Sequence, residues 1–399
     1  MWNRLLKRLL ARVIKQGRLS VTFFDGSVQL YGDGSGDPIS VCLHSADLAR
    51  KLVLHPQLAL GEAYMDGDLT VEDDDLHGML SLMMANIMQF NMGYWHRKAD
   101  SLRHQINRLT LKTHLRAARR NVQHHYDLSD DLYDLFLDPD KQYSCAYFRT
   151  PDMTLEQAQD AKKQHIAKKL LLKPGMKVLD IGCGWGGMGL MLARDYGVEV
   201  VGVTLSERQH EIATKRAAEA GLADKCSFLL RDYRNVEQRF DRIVSVGMLE
   251  HVGHSQYDCY FQKIRQLLKP DGVALIHTIG RSTPPEEAVS PWISKYIFPG
   301  GYAPALSELM QSLEKSELFA TDIEVWRMHY ARTLQIWRDR FEANIDAARQ
   351  LYDDRFCRMW RFYLISSELS FSIFGLVVFQ MQISRDQMAV PLTRDYICS

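Results

Sequence analysis

The chain has 399 residues, 46% hydrophobic and 25% charged, an ordinary globular composition with enough apolar material for two or three domains. Lys plus Arg and Asp plus Glu both total 49, so no net field argues for a nucleic-acid partner. Seven cysteines are scattered without a C-x-x-C pair, which disfavours a zinc site or a disulfide framework and fits a reducing cytoplasm. The longest apolar run, around Phe371 to Met381, is too short to span a bilayer and reads as a late core strand.

Met1 to Arg18 has helical apolar spacing and a basic face: Arg4, Lys7, Arg8, Arg12, Lys15 and Arg18, with no acidic residue. It fits a helix lying on an anionic membrane surface or an amphipathic helix packed on its own domain. Leu19 to Val41 reads as short strands around a glycine-rich loop. Ser45 to His55 reads as a helix with Ser45 as N-cap, and a methionine-rich helix follows from Leu76 to Met92. Arg97 to Arg120 is basic, helical and a connector. Asp127 to Leu137 and Thr154 to Leu172 read as helices on either side of the polar and aromatic cluster Tyr143 to Phe148.

From Lys177 the pattern alternates. Strands are predicted at Lys177–Ile181, Glu199–Val203, Ser227–Leu230, Asp241–Val246 and Val273–Thr278. Helices are predicted from Met188, over Glu207–Ala220 and over Tyr257–Leu268, with Lys269 to Gly272 as a turn. This is an open, doubly wound α/β sheet, whose ligands bind outside the carboxyl ends of the strands. Gly182, Gly184 and Gly187 form a tight turn after the first strand. The spacing alone would equally serve a dinucleotide, but the second strand ends in Thr204-Leu205-Ser206 without the carboxylate a dinucleotide ribose wants. D-I-G-C-G-W-G-G instead resembles motif I of the S-adenosylmethionine-dependent methyltransferases, a Rossmann-like fold. Arg281 to Pro304, rich in Pro, Trp, Tyr and Phe, reads as its lid.

Five segments in order, Q-H-H-Y-D, Y-S-C-A-Y-F, D-I-G-C-G-W-G, M-L-E-H-V-G and W-R-M-H-Y-A-R-T-L-Q-I-W, resemble the cyclopropane fatty acid synthases and mycolic acid cyclopropane synthases. The resemblance covers about residue 115 to the C-terminus. It implies a catalytic domain over 111–399, with 1–110 as a smaller α+β domain like the N-terminal domain of the bacterial phospholipid enzymes. It further implies transfer of a methylene unit from S-adenosylmethionine to the cis double bond of acyl chains in membrane phospholipids. A lipid methyltransferase giving a methyl-branched product is the alternative. A cytoplasmic homodimer, peripherally associated with the inner face of the membrane, is expected.

The resemblance also implies the site. Bicarbonate would act as base, cradled by Cys145 through its backbone amide, Glu250, His277, Ile279 and Tyr330. The co-substrate would be held by Tyr143 and Ser144, by Val178, Asp180, Gly182, Gly184 and Gly186, by Thr204, Leu205, Ser206 and Gln209, and by Tyr233 with Arg234. Ser206 or Gln209 would have to reach the ribose. Tyr143, Tyr147, Phe148, Trp292, Tyr296, Phe298 and Tyr302 offer aromatic faces to a carbocation. Ser367 stands where many relatives carry a late-helix cysteine, so a thiolate mechanism there is not available.

Overall fold

The computed structural model describes residues 1–89, 129–285 and 290–398. The Q-H-H-Y-D segment and the basic stretch Arg97 to Arg120 lie outside the described residues. The chain divides into two compact units. The larger comprises the described parts of Arg108–Glu286, Pro299–Thr333 and Leu376–Ser399; the smaller comprises those of Met1–Asn107, Glu287–Phe298 and Leu334–Gly375. The division therefore differs from a single cut after residue 110: late helical segments group with the N-terminal region.

In the smaller unit, helix α1 (Trp2–Val13) precedes strands β1 (Arg18–Thr22), β2 (Val28–Tyr31) and β3 (Pro38–Leu43). Helices α2 (Leu48–Leu54) and α3 (Pro56–Asp66), strand β4 (Leu69–Val71) and helix α4 (Leu76–Gln89) follow. The four strands pair in the order β2-β1-β3-β4. The first helix stops at Val13 rather than Arg18: the backbone turns extended at Ile14, and Gly17 at φ +92° leads into β1. Ser45 does not cap α2; Asp47 precedes the helix, without a side-chain cap.

The larger unit holds α5 (Asp130–Asp134), α6 (Leu155–Leu170), β5 (Lys177–Ile181), α7 (Gly187–Tyr196), β6 (Glu199–Thr204), α8 (Glu207–Glu219), β7 (Cys226–Leu230), β8 (Phe240–Val246), α9 (Tyr257–Leu267) and β9 (Leu268–Arg281). Thr154 caps α6 with a reciprocal Gln157 contact, a capping box. The predicted helix over Asp127 to Leu137 shrinks to one short turn. The remaining elements are α10 (Pro291–Tyr296), α11 (Leu306–Lys315), β10 (Phe319–Trp326), α12 (His329–Ala343), α13 (Ile345–Leu351), α14 (Asp354–Ser372), β11 (Leu376–Ser384) and α15 (Asp395–Cys398). Of these, α10, α13 and α14 belong to the smaller unit, and α12 runs from the larger into the smaller.

Seven strands run in the order β10-β11-β9-β8-β5-β6-β7, with β11 antiparallel to both neighbours and the pairings from β9 to β7 parallel. The central strands are apolar on both faces, as a parallel sheet covered on both sides requires. Leu179 and Ile243 pack with Tyr260, Phe261 and Ile264 on one face. Val178 and Val244 pack with Ile166, Leu170 and Met191 on the other. The predicted turn at Lys269 to Gly272 is instead taken up within β9, where the register slips between Phe240↔Leu268 and Arg242↔Val273. The predicted late strand also moves: α14 runs through Ser372, and β11 begins only after Gly375, at φ +71°.

Candidate active site

The turn after β5 sets the geometry of the cleft. The amides of Gly182 and Cys183 both donate to Val203 O, at 2.9 and 3.1 Å, tying the turn to the end of β6. Gly182 and Gly184 adopt φ +78° and +54°, which glycine tolerates best. A Cβ at Gly184 would meet nothing within 4 Å, so this position is a bare wall. A cleft open to solvent lies at the carboxyl ends of the strands, lined by Gly182, Gly184, Thr204, Leu205, Gln209, Tyr233 and Arg234 among others. A second pocket shares Gly182, Gly184 and Gln209 and adds Tyr143, Ser144 and Asp180.

Most of the predicted binding residues thus come together, and three do not line either cavity. Val178 is fully buried in the sheet core. Ser206 is also fully buried, and its Oγ accepts from Gln209 N at 3.2 Å to cap α8. Gly186, at φ +84°, is the N-cap of α7. Of the pair expected near a ribose, only Gln209 lines the cleft, its Oε1 accepting from the Thr204 hydroxyl at 2.9 Å. Asp232 and Met248 also line it and were not singled out in the sequence. Asp232 follows β7 and pairs with Arg234 at 2.7 Å; its position at a strand end was the available signal.

Asp180 is buried, and its Oδ2 has no hydrogen-bond partner among the described residues. Burial pushes its pKa up to about 7. An orphaned carboxylate oxygen on a pocket wall suits a cationic group of a ligand.

The second cluster centres on Glu250, in the turn after β8. Glu250 Oε1 accepts from the Ile279 amide at 2.6 Å. Its Oε2 is buried with no hydrogen-bond partner among the described residues. Burial pushes its pKa up to about 7, against the pull of the Ile279 N–H. Ile279, expected in the anion cradle, thus has its amide occupied by Glu250. His277, two residues earlier on β9, receives a hydrogen bond at Nδ1 from Gln380 Nε2 at 3.1 Å, which leaves its proton on Nε2. Burial lowers the His277 pKa well below the usual imidazole range, so the ring is neutral.

Cys145 and Tyr330 lie on other elements. Ala146 N donates to Thr333 Oγ1 at 3.0 Å, and Phe148 N to His329 Nδ1 at 3.1 Å, which ties the Tyr143 to Phe148 loop to the start of α12, where Tyr330 sits. Tyr147 stacks on Trp326 at 4.6 Å, and Trp326 meets His277 edge-on at 5.2 Å. One chain of contacts therefore runs from the Cys145 loop to His277 and, along β9, to Glu250. Cys145 is fully buried, and burial pushes its thiol far up, so it is no nucleophile. Trp292, Tyr296 and Phe298 belong to the smaller unit, where Trp292 donates to Met65 Sδ at 3.2 Å. Ser367 lies on α14, in the smaller unit as well.

Residues 113–381 match the family model of mycolic acid cyclopropane synthetase, and residues 5–96 match a domain of unknown function. The chain is 40% identical over 348 residues to the cyclopropane-fatty-acyl-phospholipid synthase of Escherichia coli (strain K12), covering 87% of this chain and 88% of that one. It is 34% identical over 400 residues to a tuberculostearic acid methyltransferase of Mycobacterium tuberculosis (strain H37Rv), covering 95% and 90%. Among solved structures, the cyclopropane synthase MmaA2 from Mycobacterium tuberculosis superposes with a TM-score of 0.64 at 36% identity, over 66% of this chain and 97% of that one. The mycolic acid cyclopropane synthase CmaA1, complexed with SAH and CTAB, gives 0.63 at 38% identity, over 66% and 97%. Coclaurine N-methyltransferase, 19% identical with a TM-score of 0.66 over 82% of this chain and 98% of that one, shares the fold. With the glycine turn, the cleft and the strand order of an S-adenosylmethionine-dependent methyltransferase, the chain belongs to the mycolic acid cyclopropane synthetase family.

Proposed function

We propose that the protein is a cyclopropane-fatty-acyl-phospholipid synthase, which adds a methylene unit to the cis double bond of an unsaturated phospholipid acyl chain. The likeness to the Escherichia coli synthase across both the N-terminal and the catalytic regions supports the phospholipid substrate. S-adenosylmethionine, as substrate, supplies an electrophilic methyl on sulfonium, and bicarbonate supplies a base. The binding walls fit the first: Gly184 and Gly182 admit close approach, Asp180 offers a carboxylate, and Tyr143, Ser144, Gln209, Tyr233 and Arg234 surround it.

The observation that carries the chemistry is Glu250. A buried carboxyl with one unpaired oxygen is costly unless it has a task. With a pKa near 7, it can donate a hydrogen bond to an anion when protonated and accept one when ionised. Neutral His277 presents an Nε2–H donor. These groups would hold and orient a small oxyanion. Held there by Glu250 and His277, bicarbonate would supply the acceptor for the proton lost from the added carbon as the ring closes. The chain's part is to hold the alkene and sulfonium in line and dry.

A second reading, a methyl-branched product, draws support from the likeness to the tuberculostearic acid methyltransferase. Phospholipids from a host expressing the chain decide between them. Mass spectrometry reports gain of one methylene mass with loss of the alkene, and NMR distinguishes ring from branch. Unaltered lipids, with S-adenosylmethionine available, exclude both. We further propose a homodimer that meets the cytoplasmic face of the membrane through the N-terminal unit.

A further inference from the structure

Behind the second pocket lies a cation that the scheme above does not use. Lys162, on α6, is fully buried. Its Nζ donates to Gln142 Oε1 and to Ser144 Oγ, each at 2.7 Å. No carboxylate among the described residues forms an ion pair with it, although its neighbour Lys163 pairs with Asp140 at 2.8 Å. Asp138, itself buried, offsets part of the charge without forming an ion pair, so the ammonium is only partly compensated.

Hydrogen-bond polarity says where the counter-charge belongs. An ammonium only donates. Ser144 Oγ, accepting from Lys162, must send its own proton elsewhere, and no acceptor for it exists among the described residues. Ser144 and Gln142 both line the pocket. Gln142 is locked: its Nε2 donates to Asp140 Oδ2 at 3.0 Å and its amide to Asp138 Oδ1 at 3.0 Å. Gln159 Nε2 donates to the carbonyls of Gln142 and Ser144, at 3.0 and 2.9 Å. The segment is therefore rigid, with one hydroxyl donor left to the pocket and a positive charge directly behind it.

We propose that Lys162, acting through Ser144 Oγ, forms a carboxylate subsite that receives the methionyl carboxylate of the sulfonium substrate. This rests on the reading of the cleft as an S-adenosylmethionine site. Asp180, on the same pocket, is placed for the ammonium of the same amino-acid end. Burial lowers the Lys162 pKa to about 8, opposed by the charge of Asp138, so the cation persists at neutral pH. Lys162 is a positioning residue: it fixes which way Ser144 donates.

Calorimetric titration of the full chain with S-adenosylhomocysteine and with 5′-methylthioadenosine, which lacks the amino-acid end, tests this. Lys162→Met should weaken S-adenosylhomocysteine by about tenfold or more while 5′-methylthioadenosine stays within about twofold. Ser144→Ala should show the same selective loss, and it decides the matter if Lys162→Met does not fold. Equal weakening of both ligands, or of neither, overturns the subsite. A wild-type protein that binds neither ligand overturns the cleft assignment itself, a result distinct from selective binding that ignores Lys162.

Discussion

Glu250 combines one bonded oxygen, one unpaired oxygen and a pKa raised to about 7 by burial. Glu250→Gln keeps the shape and the acceptor for the Ile279 amide but cannot exchange a proton. Turnover should fall by about a hundredfold or more with S-adenosylhomocysteine affinity unchanged; near-normal turnover removes Glu250 from the mechanism. The same carboxyl bears on stability. Its folded-state pKa lies above the ordinary 4.5, so ionisation costs the folded state nothing at lower pH, increasingly between about 4.5 and 7, and fully above that. Glu250→Gln should therefore raise the melting temperature more at pH 8 than at pH 5. Gly184, whose Cβ position opens into the cleft, gives a steric counterpart. Gly184→Val should abolish calorimetric binding of S-adenosylhomocysteine, at a backbone strain cost of about 1–3 kcal/mol for a left-handed residue; retained affinity in a folded variant places the ligand elsewhere. Gly184 was legible in the sequence, because glycines between two apolar strands already imply a ligand-facing turn. The orphaned oxygens of Asp180 and Glu250 were not, since burial and missing partners exist only once distant segments meet.

At the scale of elements, α6 and β10 are joined by buried charge. Lys169 is fully buried and pairs with Glu324 at 2.5 Å and Asp322 at 3.5 Å, while His165 Nε2 lies 2.7 Å from Glu324. Burial alone would raise the Glu324 pKa, but the hydrogen bond to His165 and the charge of Lys169 outweigh it and hold it at about 2. Lys169→Met takes the lysine from Glu324, while Asp322 keeps Arg394 at 2.7 Å, so the variant should cost roughly 3 kcal/mol in denaturant unfolding; a cost below about 1 kcal/mol would show the network to be dispensable. Because the folded-state pKa of Glu324 is depressed, its contribution is complete above pH 4.5 and lost as the pH falls toward 2. The wild type should lose stability through that window, and the variant should lose less. Sequence pattern found α6, β5, α7, β6 and the elements through β9, where apolar runs and glycine punctuation agree. It did not find β10, whose residues are mostly half-exposed and carry Asp322 and Glu324 inside the strand. Those carboxylates are explained by Lys169, more than a hundred residues away in sequence, and, for Asp322, by Arg394 as well.

For the molecule as a whole, the sequence placed the parallel strands β5 to β9 but not β10 or the late helices, which group with the N-terminal unit through contacts that no local pattern encodes. That unit carries the surface expected to meet lipid. In α1, Leu6 is buried, and Ile14 beyond the helix end is buried too, so the helix is in part a packing element. Lys7 is engaged as well, donating to Ser27 Oγ at 2.8 Å and lying 4.5 Å over the Phe23 ring. What faces outward is Arg4, Arg8 and Arg12 beside Leu5 and Leu9, which are 38% and 37% exposed. Among the described residues, no helix is long and apolar enough to cross a membrane. Basic side chains flanking exposed leucines are the composition of an interfacial helix. Each cation near an anionic leaflet contributes about 1 kcal/mol at low salt, screened as ionic strength rises. Deleting the whole segment would also remove Leu6 and Ile14, so charge reversal is the cleaner experiment. Arg4→Glu with Arg8→Glu should weaken sedimentation with phosphatidylglycerol vesicles by about tenfold or more, most at low salt. Leu5→Ser with Leu9→Ser should weaken it at every salt concentration, since apolar burial is not screened. Affinity for S-adenosylhomocysteine, which depends on the larger unit, should stay unchanged in both. If both variants bind vesicles as the wild type does, α1 serves only to pack its own unit, and the lipid surface must be sought in the basic stretch from Arg97 to Arg120.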